Sequence, residues 1–228
     1  MGACQEFQQE RWRSVVTMIE RFAKPVRMAH DRLEGSAALD PAESLMDPAE
    51  RSAVAHSTAQ MLVAGMRKGG TEEQVERLVA FAQENGLDTL AELWSGAQPV
   101  SLPGALWRLY LLKAALADNV EDARLVFERG IEVLGTIDEV VAGAPDPLTS
   151  GAFLQVIDDI LRGAFTGDFS LTLERASSIA RAVSAGVISL STQNEHAARS
   201  FVDTSLRWSI IADVLSTCAK RAAVGQLS

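Results

Sequence analysis

Apolar residues recur at intervals of three and four along almost the whole chain. That period lays one continuous stripe along a helix and is incompatible with a half-buried strand, whose side chains alternate every two residues. Trp12, Val15, Ile19, Phe22, Val26, Ala29 and Leu33 form the first such stripe. Pro25 falls inside it and removes the amide that would bond to the Arg21 carbonyl, so a kink is expected there. The last stripe runs through Phe201, Trp208, Ile211, Leu215, Cys218 and Ala222, with Thr204 at its one polar place. Strand propensity surfaces only at Gly186-Val-Ile-Ser-Leu-Ser191, which reads equally as a short extended piece or a loop. The chain is therefore expected to be all-α, a multi-helix bundle of antiparallel helices.

Capping residues and breakers divide the stripes into elements. Asp40 and Asp47 each precede Pro-Ala-Glu, which places an oxygen acceptor before a helix start, proline at the first position and a glutamate just inside. The second of these opens a helix from Pro48 to about Arg67 that stops at Gly69-Gly70. Thr71 with Gln74 is a further capping box for a helix through Val75, Leu78, Val79 and Ala82, and a short helix through Leu87, Leu90, Leu93 and Trp94 follows. Ser101 and Pro103 start the next one, Asn119 or Asp118 caps its successor through Leu134, and Gly225 ends the last. Between them, a helix from roughly Gly151 to Gly163 leads to another that ends near Gly186. The segment from Gly96 to Pro103 is the first candidate linker. A single domain over 1–228 is expected, the alternative being a helical part over 1–96 and a second over 103–228.

At 228 residues with 47% hydrophobic and 22% charged composition, the chain is long enough to bury a full core without disulfides or metals. Its two cysteines, Cys4 and Cys218, make no disulfide framework. The opening Met-Gly-Ala-Cys-Gln-Glu-Phe lacks the pattern of a secretory signal, so a cytoplasmic location is expected. A net charge of −9 argues against nucleic acid as the main ligand, since phosphate binding needs concentrated Lys and Arg. The exception is the basic N-terminal segment with Arg11, Arg13, Arg21, Lys24, Arg27 and Arg32, which would serve a DNA-contacting regulator.

The most unusual element is Ser-Leu-Pro-Gly-Ala-Leu-Trp-Arg-Leu-Tyr-Leu-Leu at 101–112, apolar on every side except for Arg108. A membrane span needs about 20 apolar residues, so this stretch reads instead as the central helix of the bundle, over about 102–117. A buried unpaired guanidinium is costly. Arg108 must therefore snorkel outward or meet an acid, and Asp138, Asp158 and Asp159 lie in similarly apolar surroundings. The two readings are a structural ion pair and a ligand pocket lined by Arg108, Tyr110, Asp138, Asp158 and Asp159, with the structural one favoured.

Trp107, Ala123 and Phe127, in a pair of helices over 107–134, stand where a tetratricopeptide unit has its tryptophan, small and aromatic positions. The segment resembles such a hairpin, with departures at Leu111 and Gly130. No second copy follows at the period of about 34 residues that an array needs. The resemblance implies a helical surface that binds a peptide or protein.

Signatures of catalysis are missing. His30, His56 and His196 have no partner at metal-ligand spacing, and there is no phosphate-cradling loop, Gly-x-Ser-x-Gly or Cys-x-x-Cys. The expected protein is non-catalytic, needs no cofactor or metal, does not enter a membrane, and acts by binding a protein partner or by self-assembly. If the first or last stripe is left uncovered, Trp12, Phe22, Phe201 and Trp208 are the anchors it offers to a two-fold dimer. The alternative is a helical ligand-binding or enzymatic domain built around Arg108 and the acids of the 153–161 helix.

Overall fold

A computed structural model describes residues 47–67, 91–135, 149–166, 168–191 and 198–228. These residues form six long helices, a helical turn at 91–95 and their connections, with no strand among them. The helices are α1 (Pro48–Arg67), α2 (Leu102–Asp118), α3 (Val120–Leu134), α4 (Ser150–Thr166), α5 (Phe169–Ser191) and α6 (Ala198–Ala223). Several expected features lie outside the described residues: the stripe from Trp12 to Leu33 with its Pro25 kink, the Asp40 cap, the Gly69-Gly70 stop, the Thr71 box and Asp138.

The helix ends follow from local chemistry. Asp47 Oδ1 accepts from the Ala49 amide at 3.2 Å at the start of α1. Ser101 caps α2 by accepting from Gly104 N, and Asn119 caps α3 by accepting from Asp122 N while donating to the Asp122 carboxylate at 2.6 Å. Helix α3 stops at Gly135, whose φ of 62° lies in the left-handed region that glycine enters without a Cβ clash. Helix α6 closes with a Schellman turn: Gln226 N donates to the Arg221 carbonyl, and Gly225 N, at φ 69°, donates to Ala222.

Helix α5 organises the packing. It runs antiparallel to α6, and the two are joined at seven-residue intervals by serine hydroxyls that donate to carbonyls of the facing helix. Ser170 reaches Ala219 O at 2.9 Å, Ser177 reaches Ala212 O at 2.7 Å, and Ser184 reaches Ser205 O at 2.8 Å. At the last rung the bond is returned, because Ser205 donates to Ser184 O at 3.0 Å. A seven-residue repeat on both partners is the register of a left-handed helix pair, and small residues at the repeat let the backbones approach closely. On another side α5 meets α3 at glycine. A methyl group added to Gly130 would fall on the Ala182 carbonyl, and one added to Gly186 would fall on the Val126 carbonyl.

That crossing corrects the reading of the 186–191 segment. It is neither extended nor a loop, and α5 continues through Gly186 to Ser191. The glycine is there because another backbone passes against it, and its cost of about 1 kcal/mol in helix propensity is offset by the packing it allows. Helix α4 likewise continues past Gly163 to Thr166.

Helix α2 touches each of the other five helices and buries Leu102, Ala105, Leu106, Leu109, Leu112 and Leu116. It is not covered on every side, since Trp107, Arg108, Tyr110 and Leu111 are half-exposed and Lys113 is exposed. The hydrophobic cluster includes Ala55, Ala59 and Trp94 together with residues of α2 to α6, so side chains before and after Gly96 to Pro103 share one core. The segment resembling a tetratricopeptide hairpin is arranged differently. Helices α2 and α3 touch over a short stretch, α3 lies along α5, and Phe127 packs against Phe153 of α4 at 5.2 Å.

Two expected anchors belong to this interior. Phe201 and Trp208 are 0% and 3% exposed, so the stripe they lead is covered within the chain and offers no open seam. Trp12 and Phe22 lie outside the described residues.

The α3–α5 crossing yields a contrast in one residue type. Gly186→Ala gains helix propensity yet forces backbones apart, and a net loss of about 2 kcal/mol is expected in urea unfolding. Gly151→Ala, at the exposed start of α4 with no atom near its absent Cβ, should instead be neutral or stabilise by up to about 1 kcal/mol.

Candidate interaction surface

Arg108 donates from Nη1 to the Gly104 carbonyl of its own helix at 2.9 Å. Among the described residues no carboxylate pairs with it. Asp158, one of its proposed mates, instead pairs with Lys113 at 3.0 Å, an ion pair half-open to solvent and worth about 0–1 kcal/mol. Asp159 follows on α4, and Asp138 is outside the described residues. Tyr110 stacks on Trp107 at 5.6 Å along the outer side of α2. The expected constellation of Arg108, Tyr110 and Asp158 is thus dispersed, with the acid engaged elsewhere.

What Arg108 does face is the thiol of Cys218. That side chain is buried on α6, with Sγ 3.7 Å from the Pro99 carbonyl. Burial pushes the thiol above its ordinary range, and the positive charges of Arg108 and Arg221 draw it partway back. Burial also holds the Arg108 guanidinium below its usual value, opposed by the Cys218 sulfur. The arrangement is a desolvated cation beside a neutral thiol, with the long arginine stem covering apolar surface. Close by, Leu102 N donates to Ser228 O at 3.0 Å, which ties the tail behind α6 to the start of α2.

The surface feature that stands out lies on the far side of α6. Val202, Leu206 and Ile210 are 49%, 58% and 52% exposed, and at spacings of four they form one stripe centred about 150° from the buried Phe201 and Trp208 face. Exposed aliphatic residues scattered singly are ordinary, whereas three in line on one helix make a patch that water solvates poorly. Arg199 precedes the stripe and Asp213 follows it on the same face, both exposed. Sequence reading missed this stripe. Its four-residue spacing is visible in the chain, but the larger aromatic residues of the opposite stripe outweigh it as interface anchors.

Among the described residues no group of His, Cys, Asp and Glu is placed to hold a metal ion, and no helix is long and apolar enough to cross a membrane. A scan of protein-family models and searches of curated proteins and of solved structures each return no match to the chain. The reading of function therefore rests on this surface and on the chemistry of its residues.

The Cys218 environment has a pH signature. A thiol held neutral in the fold loses its proton on unfolding once pH exceeds the unfolded value of about 8.5, so the unfolded state binds fewer protons and stability falls as pH rises. The contribution is complete below that value and is lost as pH climbs toward the raised value of the folded thiol. In a Cys4→Ser background, native Cys218 should resist alkylation at neutral pH, and Cys218→Ala should flatten the decline in stability between about pH 8 and 10. Arg108→Met should change unfolding free energy by no more than about 1 kcal/mol, because among the described residues no carboxylate loses its partner.

Proposed function

We propose that this chain is a non-catalytic helical protein that acts through contact with another protein surface, a partner or a second copy of itself. The observation that carries this reading is the exposed aliphatic stripe Val202, Leu206 and Ile210 on α6. The same helix buries most of its other face, with Phe201, Leu215 and Cys218 at 0% exposure. Its large outward aliphatic side chains therefore contribute nothing to the described core. Apolar area left in water at an ordered helix face is the feature that association removes, at roughly 25 cal/mol per Å² before the costs of binding.

The balance of charge supports the same reading. A net charge of −9 keeps the chain soluble and repels phosphate backbones, so contacts driven by apolar area with a polar rim suit it better than nucleic acid does. The cytoplasm is the compartment we propose, on the basis of two cysteines of which Cys218 is a buried free thiol.

The test uses the tagged full chain in its native cell lysate. Wild type should sediment faster than a 24.5 kDa monomer. Leu206→Asp should return it to monomer size with its melting temperature unchanged. A wild-type chain that sediments as a monomer both in lysate and after purification overturns the reading.

A further inference from the structure

The outward face of α6 reads the same from either end once a two-fold axis is placed at Leu206. Reversing the helix about that residue carries Val202 onto Ile210, and Arg199 onto Asp213. At 100° per residue, Arg199, Val202, Leu206, Ile210 and Asp213 all fall within an arc of about 80°. The face therefore consists of three aliphatic side chains bracketed by a cation at one end and an anion at the other. From these placements we infer that the α6 face docks onto a second copy of this chain as an antiparallel helix pair, with each Arg199 set against the partner's Asp213. The inference rests on the proposed function above and names the partner.

Three features support a second copy over an unrelated partner. First, the charges complement each other only between copies. On one helix Arg199 and Asp213 are fourteen residues apart, about 21 Å, too far to pair. Neither makes an ion pair among the described residues, since the pairs found there join Lys113 with Asp158, Arg124 with Glu121 and Glu128, and Arg129 with Glu132. Second, a two-fold contact is isologous, so each favourable pair occurs twice, and the aliphatic match of Val202 with the partner's Ile210 is also doubled. Third, the remaining charges near the axis do not oppose one another. Asp203 is carried onto Ser209 and Arg207 onto Ser205, so no like charges are juxtaposed.

The alternative pairing, parallel and in register, sets Arg199 on Arg199 and Asp213 on Asp213. Like charges brought together at a partly dry contact are destabilising, so the charge pattern selects the antiparallel arrangement. A parallel helix pair would also keep identical residues together along the whole contact, with nothing to fix its direction. The serine-bonded packing of α6 on α5 presents the face as a rigid ridge, so little ordering is needed on association. One helix face per copy is small beside obligate interfaces, and dissociation on the order of micromolar is expected.

Sedimentation equilibrium of the purified full chain over a concentration series tests the pairing. Wild type should pass from monomer to dimer, and Leu206→Glu, which brings two carboxylates together at the axis, should remain monomeric with an unchanged melting temperature. Arg199→Asp alone and Asp213→Arg alone should each weaken dimerisation at least tenfold. An equimolar mixture of these two variants should dimerise again, since one chain then carries only acids and the other only bases at these positions, and the double variant should recover self-association. A wild-type monomer overturns the inference, as does failure of the mixture and the double variant to recover association. A dimer that survives Leu206→Glu overturns it too, while leaving self-assembly through another surface in place. A purified monomer that forms a larger complex in lysate, dispersed by Leu206→Asp, removes the second copy as partner and leaves the proposed function standing.

Discussion

Close approach of backbones at α5 is the constraint from which the rest of the bundle follows. A helix packed through large side chains stands about 8–10 Å from its neighbour and tolerates some sliding. Helix α5 has traded that tolerance for contact at the main chain, with Gly186 and Ala182 against α3 and with Ser170, Ser177 and Ser184 against α6. Glycine allows the first contact because any Cβ would occupy the volume of a carbonyl oxygen. Serine allows the second because its hydroxyl is small and can donate to a carbonyl whose other lone pair is engaged within its own helix. Each such bond contributes only about 1 kcal/mol, but each is directional, so together they hold the register of α5 against α6.

Register then decides which faces of the outer helices are open. With α6 held by its serine rungs, Phe201, Thr204, Trp208 and Leu215 point inward and are buried, and Val202, Leu206 and Ile210 are left pointing out. The polar groups inside are accounted for in the same way. Among the described residues no buried side-chain nitrogen or oxygen lacks a partner. Arg108 fits this pattern as a cation that lies along apolar surface, bonds back to Gly104 O and sits beside the Cys218 sulfur. Its unusual position in the sequence marks the edge of the α2–α6 contact, where a long stem covers carbon and a head remains partly wet.

The all-helical class was legible because periodicity is a local property and needs no knowledge of neighbours. The same holds for the caps at Asp47, Ser101 and Asn119 and the stop at Gly225, where a side chain or a φ angle acts within a few residues. Glycine misleads where its role is not local. In its own stretch of sequence Gly186 reads as a terminator, and in the fold it is a contact point in mid-helix, a role that appears only when α3 crosses.

The candidate site was less legible for the same reason. Helix α6 carries two apolar stripes, and amphipathic pattern alone assigns the larger, aromatic one to whatever surface matters most. By itself the sequence determined that α6 is a helix with one aromatic-led apolar stripe, and that Arg108 and Cys218 sit among carbon. Only the tertiary structure decided which stripe α5 covers, and that Asp158, one of the three acids expected near Arg108, pairs with Lys113 instead. The physical reason is that periodicity sets the angle between residues on one helix, whereas the angle between helices is set by where small residues let two backbones touch.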